Sequence, residues 1–210
     1  MLKAVCLLVF LTTLAAWQNV QSCCCFPKQY EGNVEVTFPK PEDKSEYKVN
    51  FVRAYAARDS NRQMDYFKGK SNINQHVTIF ETLIDYKNHL QYVVINGTCQ
   101  SHKFSAEMFT CIPKNASRIQ TSYYGFDAKR IEIEVFSYRN ADVRITVMKD
   151  SCAVLRIQAF PIFADYTFTG LKSSVTNQTV FNIPPSCKKV MMCNEQEAHY
   201  LKFHQQLFNF

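Results

Sequence analysis

The segment that decides the fold is Val34-Glu35-Val36-Thr37-Phe38, in which apolar and polar side chains alternate. The same pattern returns in Arg130-Ile131-Glu132-Ile133-Glu134-Val135. Successive side chains of a strand point to opposite faces, so strict alternation indicates antiparallel strands with one face in water. These two segments therefore predict a sheet rather than a helical bundle.

Further strands are predicted from runs rich in β-branched and aromatic residues. Val93-Val94-Ile95 and Val154-Leu155 are apolar at successive positions, which is typical of strands covered on both faces. The remaining β-rich segments are Tyr47 to Tyr55, His76 to Tyr86 and Tyr166 to Phe168. Strands separated by short polar turns along the whole chain indicate a mostly β protein, either a sandwich or a strongly curved sheet.

The C-terminal segment has a different period. Asn194 followed by Glu197 resembles a helix cap, and Ala198 and Leu201 then fall near one face. We therefore predict a helix from about residue 195 to residue 206 that packs on the sheet. A helix that lies on a membrane surface is the alternative, although the segment is not markedly basic.

The first residues carry the pattern of a secretory signal peptide. Lys3 precedes a largely apolar run over residues 4–17, and small or polar residues follow up to Cys23. The run is shorter than the ~20 residues that a transmembrane helix needs. We predict that residues 1–22 are a signal peptide and that residues 23–210 form a single secreted, extracellular domain.

Secretion would carry the cysteines into an oxidising compartment, where disulfides form and persist. The chain has nine cysteines, of which Cys6 lies in the signal peptide. The others are Cys23, Cys24, Cys25, Cys99, Cys111, Cys152, Cys187 and Cys193. An even number in a secreted chain indicates a set of disulfides, but the spacing does not determine the pairing.

Three Asn-x-Ser/Thr sequons begin at Asn96, Asn115 and Asn177. One sequon arises easily by chance, whereas three behind a signal peptide favour a glycoprotein. Because glycans are bulky, we expect the three asparagines on exposed loops or strand edges.

The net charge of +6 comes from scattered basic residues rather than from a cluster. The densest spots are pairs such as Lys129-Arg130 and Lys188-Lys189. Nucleic-acid binding needs a clustered basic surface or a recognition motif, and the sequence has neither. We therefore predict a mildly basic, solvated surface and no nucleic-acid partner.

Motifs that resemble catalytic or cofactor sites fail at key positions. Gly69-Lys70-Ser71 resembles the end of a phosphate-binding loop, but Met64 stands where that loop needs glycine. Asp59 to Asp65 resembles a calcium loop, but Met64 and Lys70 occupy the positions of its glycine and glutamate. This segment is better explained as a polar hairpin turn. We predict that the protein is not an enzyme and has no redox or nucleotide cofactor.

Several short segments together resemble the ependymin family of secreted glycoproteins. They are, in chain order, Cys24 to Gly32, Thr82 to Tyr92, Asn96 to Cys99, Ile112 to Ser117, Lys149 to Cys152 and Pro184 to Cys187. The first is similar to the family opening C-x-x-P-x-Q-W-E-G, with Tyr30 in place of tryptophan. The second is similar to L-x-x-Y-K-x-G-V-x-Y, from which His89 and Leu90 depart. Each segment alone is unspecific, but their order and spacing across most of the mature chain are distinctive.

The resemblance implies a fold like that of the LolA-type lipoprotein carriers. Two stacked, curved antiparallel sheets would form a half-barrel or sandwich around a deep hydrophobic pocket, and homodimers would form through the sheets. It also implies two disulfides, Cys24 with Cys152 and Cys99 with Cys187. The chain has an additional Cys111, which we pair with Cys193, and the partners of Cys23 and Cys25 stay open.

These features, with the resemblance, predict a carrier of an apolar small molecule, such as a lipid or fatty acid, that also binds extracellular calcium. We expect the pocket to be lined by apolar and aromatic strand residues. They are Phe51, Tyr55, Ile79, Val94, Ile133, Val135, Ile157 and Phe168. Such residues can equally well fill an ordinary core, so the prediction depends on an open cavity.

The alternative is a calcium-dependent adhesion protein of the extracellular matrix. The resemblance implies extracellular calcium binding and contact with matrix components, and in this alternative the protein has no dedicated small ligand. Calcium prefers oxygen ligands, which exposed carboxylates or sialylated glycans can supply. The spacing of the acidic residues does not identify a calcium site.

Overall fold

The computed structural model describes residues 24–39, 49–73, 75–138, 142–160 and 163–187. The predicted signal peptide, the predicted C-terminal helix, Cys23 and Cys193 lie outside the described residues.

Eleven antiparallel strands of the described residues form one sheet. They are β1 (Gln29–Pro39), β2 (Val49–Asp59), β3 (Met64–Ile73), β4 (His76–Asp85), β5 (Leu90–Ile95), β6 (Thr98–Lys103), β7 (Ser117–Tyr124), β8 (Ile131–Tyr138), β9 (Val143–Met148), β10 (Val154–Ala159) and β11 (Ala164–Lys172). Their order is β6-β5-β4-β3-β2-β1-β11-β10-β9-β8-β7, so β6 and β7 are the edge strands. The prediction of a mostly β, antiparallel fold is confirmed.

The two halves of the sheet are joined where β1 pairs with β11. Val36 of β1 lies opposite Val52 of β2 on one side and opposite Tyr166 of β11 on the other. Strands β1 to β6 run outward from this seam as successive hairpins, and β11 back to β7 do the same on the other side. The described residues therefore form one continuous sheet where the resemblance implies two stacked sheets.

The inner face of the sheet carries the main core. Val34 and Val36 on β1, Val52 on β2 and Tyr166 on β11 are each at most 2 % exposed. They alternate with more exposed residues such as Glu35, as the period of two residues requires. The alternation that begins at Val34 therefore marks the buried face of β1.

The connection between β6 and β7, residues 104–116, crosses this inner face, and we call it the strap. Phe104 and Met108 pack on the core of β1 to β4. Phe109 and Ile112 pack on the core of β8 to β10. Since β6 and β7 are opposite edges of the sheet, the strap links the two edges across the core.

The N-terminal segment fastens the strap. The amide N–H of Phe26 donates to the carbonyl oxygen of Thr110, and that of Ile112 donates to the carbonyl oxygen of Cys24, both at 2.8 Å. A disulfide between Cys25 and Cys111 lies between these two hydrogen bonds. The strap and the N-terminal segment therefore cover the inner face together.

The disulfides correct one predicted pairing. Cys24 bonds Cys152 and Cys99 bonds Cys187, as the resemblance implies. Cys111 bonds Cys25 rather than Cys193. Cys25 and Cys111 form an antiparallel bridge in which their Cα atoms are 3.8 Å apart. The pairing depends on the path of the strap, which the cysteine spacing does not reveal.

Residues 173–187 cover the outer face of β2 to β6, and we call them the outer cover. This cover contains two short 3-10 helices, Gln178–Phe181 and Pro185–Cys187. Its residues Val175 and Phe181 pack with Tyr66 and Leu83 of the sheet. The disulfide from Cys187 to Cys99 holds its end on β6. The outer face of β7 to β10 has no such cover among the described residues.

The two rejected motifs have structural roles. Gly69 lies inside β3, where a Cβ atom would come within 2.0 Å of the carbonyl oxygen of Arg53, so the strands can approach only at glycine. Asp59 ends β2, and its Oδ1 accepts the amide N–H groups of Asn61 and Arg62 in the turn before Met64. The predicted polar hairpin turn is confirmed.

Candidate functional site

A cavity of about 90 Å³ lies between the inner face of the sheet and the strap, and we call it the inner cavity. Its lining is mostly aromatic and aliphatic. The lining residues are Phe26, Tyr30, Val34, Arg58, Asp65, Phe67, Tyr86, Ala106, Glu107, Phe109, Tyr138, Val143, Ile145, Val154, Ile157, Tyr166 and Phe168. Concave, largely apolar sites with a few polar groups are typical of small-molecule pockets.

The strap forms the roof of the inner cavity. Ala106, Glu107 and Phe109 line it from the strap side, and Phe26 of the N-terminal segment lies beside Phe109 with a ring-centroid distance of 5.5 Å. The sheet supplies the floor through β1 to β3 and β8 to β11. The cavity is therefore closed by two segments without regular secondary structure, and the Cys25–Cys111 disulfide joins them.

The polar end of the inner cavity contains an ion pair. Arg58 of β2 lies directly opposite Asp65 of β3, next to the residue pair that flanks the hairpin turn. Its Nε donates to Asp65 Oδ1 at 2.6 Å, and its Nη2 donates to Asp65 Oδ2 at 2.5 Å. The two side chains are 14 % and 3 % exposed, so both charges are largely removed from water. Two parallel hydrogen bonds compensate such a burial well.

Three further groups surround this ion pair. The Tyr86 hydroxyl donates to Asp65 Oδ2 at 3.0 Å, and Arg58 Nη1 donates to the carbonyl oxygen of Phe109 at 2.9 Å. The Arg58 guanidinium lies 5.7 Å from the centre of the Tyr30 ring. Burial, with the neighbouring Asp65 carboxylate, raises the pKa of Tyr86 well above its usual value, and burial raises the pKa of Tyr30 as well. Both tyrosines therefore stay neutral donors at physiological pH.

The structure divides the predicted lining residues between the two faces. Ile157 and Phe168 line the inner cavity. The other six lie on the outer face, where their strand neighbours, such as Val52 beside Phe51 and Phe80 beside Ile79, point inward. They are Phe51, Tyr55, Ile79, Val94, Ile133 and Val135. When a strand is apolar on both faces, its sequence does not show which face will lie on the inner side of the sheet.

The outer face has a shallow groove of about 790 Å³ across β7 to β11, which we call the outer groove. Ile133 and Val135 line it, together with Thr146, Arg144 and Leu155. Exposed apolar side chains stand along it, and Tyr124 is 69 % exposed. This groove is larger than the inner cavity, but it is open and has a mixed polar lining.

Sequence reasoning missed most of the inner cavity. The strap residues Ala106 and Phe109 lie outside every predicted strand, and no local pattern shows that their segment returns across the core. Arg58 and Asp65 carried a usable signal, because they lie at equal distances from a recognisable hairpin turn. Residues at such positions face each other across the two strands.

The three sequon asparagines are exposed and lie in turns or loops. Asn96 and Gly97 form the two-residue turn between β5 and β6, with φ of 48° and 87°. Asn115 lies in a turn of the strap, and Asn177 precedes the 3-10 helix Gln178–Phe181. Each position leaves room for the glycan that we predict there.

No group of three or more His, Cys, Asp or Glu side chains among the described residues is placed to hold a metal ion. Calcium binding therefore stays a prediction of the resemblance. Within the same part of the chain, no helix has the length and apolar character needed to cross a membrane.

The comparison with solved structures shows a fold relative. The chain is similar to the crystal structure of an uncharacterized conserved protein from Thermus thermophilus, with a TM-score of 0.50 and 9% sequence identity. The match covers 80% of this chain and 90% of that chain. No family model matches the sequence, and no curated protein matches it. At this level of identity the likeness shows the fold alone.

Proposed function

We propose that this protein is a secreted, disulfide-bonded glycoprotein that binds an apolar ligand, such as a lipid or fatty acid, in the inner cavity. The observation that carries the proposal is a cavity with a mostly aromatic and aliphatic lining and the Arg58–Asp65 ion pair in its wall. Burying apolar ligand surface there would contribute roughly 25 cal/mol per Å² before the costs of association.

The cavity as it stands is small for such a ligand. About 90 Å³ lies below the ~300–1,000 Å³ of typical ligand pockets, so a long acyl chain requires the strap to move outward. The strap has no regular secondary structure over residues 104–110, and segments of this kind open most easily. The proposed ligand would take the place of strap residues such as Ala106 against the sheet.

The three disulfides within the described residues support secretion. They connect residues separated by 128, 86 and 88 positions, and disulfides persist in oxidising compartments. Together with the predicted signal peptide and the exposed sequons, they favour an extracellular carrier.

The direct test is mass spectrometry of organic extracts from native protein secreted by eukaryotic cells. We expect a lipid or another apolar compound in stoichiometric amount. A matched control is protein refolded from denaturant without lipid, which should yield no ligand. A native preparation that is free of ligand and does not take up any apolar compound on titration would contradict the proposal.

We also propose that two copies associate through the outer face of β7 to β10. Ile119, Tyr124 and Ile131 are 50 %, 69 % and 37 % exposed along the outer groove, and exposed apolar patches of this kind favour association. In sedimentation analysis, Ile131→Lys should give monomers. Val77→Lys, at a 65 % exposed position on β4, is the matched control and should leave a dimer. A wild-type monomer would contradict this assembly.

A further inference from the structure

The charges around the inner cavity select among apolar ligands. Arg58, Asp65 and Glu107 are the charged side chains that line it within the described residues. The Arg58 guanidinium and the Asp65 carboxylate neutralise each other through two hydrogen bonds of 2.6 and 2.5 Å. Glu107 stands exposed on the strap without a counter-charge among these three. The lining therefore has a net negative charge.

The polar end offers hydrogen-bond donors to a ligand. Arg58 has five N–H donors, of which two serve Asp65 and one serves the Phe109 carbonyl oxygen. The other two have no acceptor among the described residues of the protein. A guanidinium presents donors only, so the group that it prefers in a ligand is an oxygen acceptor.

An ionised carboxylate fits this site poorly. It would compete with Asp65 for Arg58 and would add a second negative charge to a lining that already has the unpaired charge of Glu107. The Asp65 side chain is only 3 % exposed, so a second carboxylate at the same guanidinium would repel it in a site shielded from water, and a buried charge without a partner is costly. An uncharged oxygen accepts the same hydrogen bonds without that cost.

We propose that the inner cavity takes an apolar ligand whose polar end is an uncharged oxygen acceptor, such as an ester, an amide or an alcohol, and that it disfavours free carboxylates. The inference rests on the proposed function, because it names the ligand class of the same cavity. The proposed carrier would then transport neutral lipids or similar compounds in preference to ionised fatty acids.

The test is a calorimetric titration with methyl decanoate, 1-decanol and decanoate at neutral pH. These probes have matched chains and differ at the polar end. At a low ionic strength of about 0.01 M the Debye length is ~30 Å, so salt hardly screens the interaction between the lining charges and the ligand. We expect the ester and the alcohol to bind about tenfold or more tightly than decanoate, because all three accept hydrogen bonds from Arg58 and only decanoate adds a charge to the site.

Charge variants separate this effect from the general cost of moving a carboxylate out of water. Glu107→Gln removes the exposed charge at the cavity. It should reduce the ratio of the affinity for methyl decanoate to the affinity for decanoate several-fold. Glu35→Gln removes the same charge on the outer face, where Glu35 pairs with Arg53, and should leave the ratio unchanged. Asp65→Asn should change this affinity ratio most, in favour of decanoate, because it leaves Arg58 without its counter-charge.

The outcomes distinguish the two proposals. Decanoate that binds as tightly as the ester, or a ratio unchanged by Glu107→Gln, overturns the ligand class and leaves the proposed function standing. If none of the three probes binds, the proposed function fails and the ligand class fails with it. Glu107→Gln decides the question even where Asp65→Asn does not fold, because Glu107 is exposed on the strap.

Discussion

Arg58 and Asp65 face each other across β2 and β3 and make two hydrogen bonds, 2.6 and 2.5 Å long, at the wall of a largely apolar cavity. The Asp65 side chain is only 3 % exposed, so each charge depends on the other. Removing one partner of such a buried pair destabilises a protein more than replacing both partners with apolar residues.

Removing one partner of this pair should therefore destabilise the fold strongly. We expect Asp65→Ala to lower the free energy of unfolding by roughly 3–5 kcal/mol, because the Arg58 charge stays buried without compensation. The double variant Arg58→Met with Asp65→Leu keeps the volume, removes both charges and should cost clearly less. Urea unfolding of the three proteins measures these values. A double variant as unstable as Asp65→Ala would show that the pair contributes more than charge compensation.

The Cys25–Cys111 disulfide should stabilise the strap. Replacing both cysteines with serine should lower the free energy of unfolding by roughly 2–4 kcal/mol, since the unfolded chain loses a long closed loop. Hydrogen exchange at the amides of residues 104–110 should rise more than exchange in β3. Peptide mapping under non-reducing conditions should link Cys111 to the Cys25 peptide, and a Cys111–Cys193 link would contradict the structure.

Glu31 makes the stability depend on acid pH. Hydrogen bonds from the hydroxyl and amide of Thr176, then from Lys172 and Tyr55, lower the pKa of Glu31 from 4.5 to about 2. Because the folded-state pKa lies below the unfolded one, the stabilisation is present above about pH 4.5 and is lost as the pH falls towards 2. These bonds also attach the outer cover to β1.

The free energy of unfolding of the wild type should therefore fall between neutral pH and pH 2, and it should fall less in Glu31→Gln. The variant should be less stable than the wild type at neutral pH, and the two curves should converge as the carboxylate becomes protonated. Glu35→Gln on the same strand is the control, with a side chain 44 % exposed in an ion pair with Arg53. Parallel curves for wild type and Glu31→Gln would contradict this account.

The sequence predicts the strands well and their faces less well. Ile133 and Val135 alternate with Glu134, which suggests that the isoleucine and valine point to the core. The structure places Glu134 on the inner face at 5 % exposure, where its Oε1 accepts from Arg118 Nη1 at 2.7 Å. Phe136 on the same strand face anchors that side in the core. The local pattern does not show that the face with the Phe136 ring and the Arg118–Glu134 ion pair is buried in preference to the face with Ile133 and Val135.

The inner cavity depends on contacts between distant segments. Phe26, Phe109 and Phe168 meet there from the N-terminal segment, the strap and β11. Such an arrangement follows from the order of the strands and the path of the strap, and neither has a signal in residue spacing. The Cys24–Cys152 and Cys99–Cys187 pairings followed from a resemblance, whereas Cys25–Cys111 required the fold.

The central claim is that apolar ligands bind in the inner cavity, and filling that cavity tests it most directly. Ala106→Phe places a ring into the cavity from the strap, and Ser122→Phe places the same ring into the outer groove. In calorimetric titration with methyl decanoate, Ala106→Phe should weaken binding by about tenfold or more, which corresponds to ~1.4 kcal/mol, while Ser122→Phe should bind as the wild type does. Loss of binding in Ser122→Phe with unchanged affinity in Ala106→Phe would place the ligand in the outer groove and contradict the account.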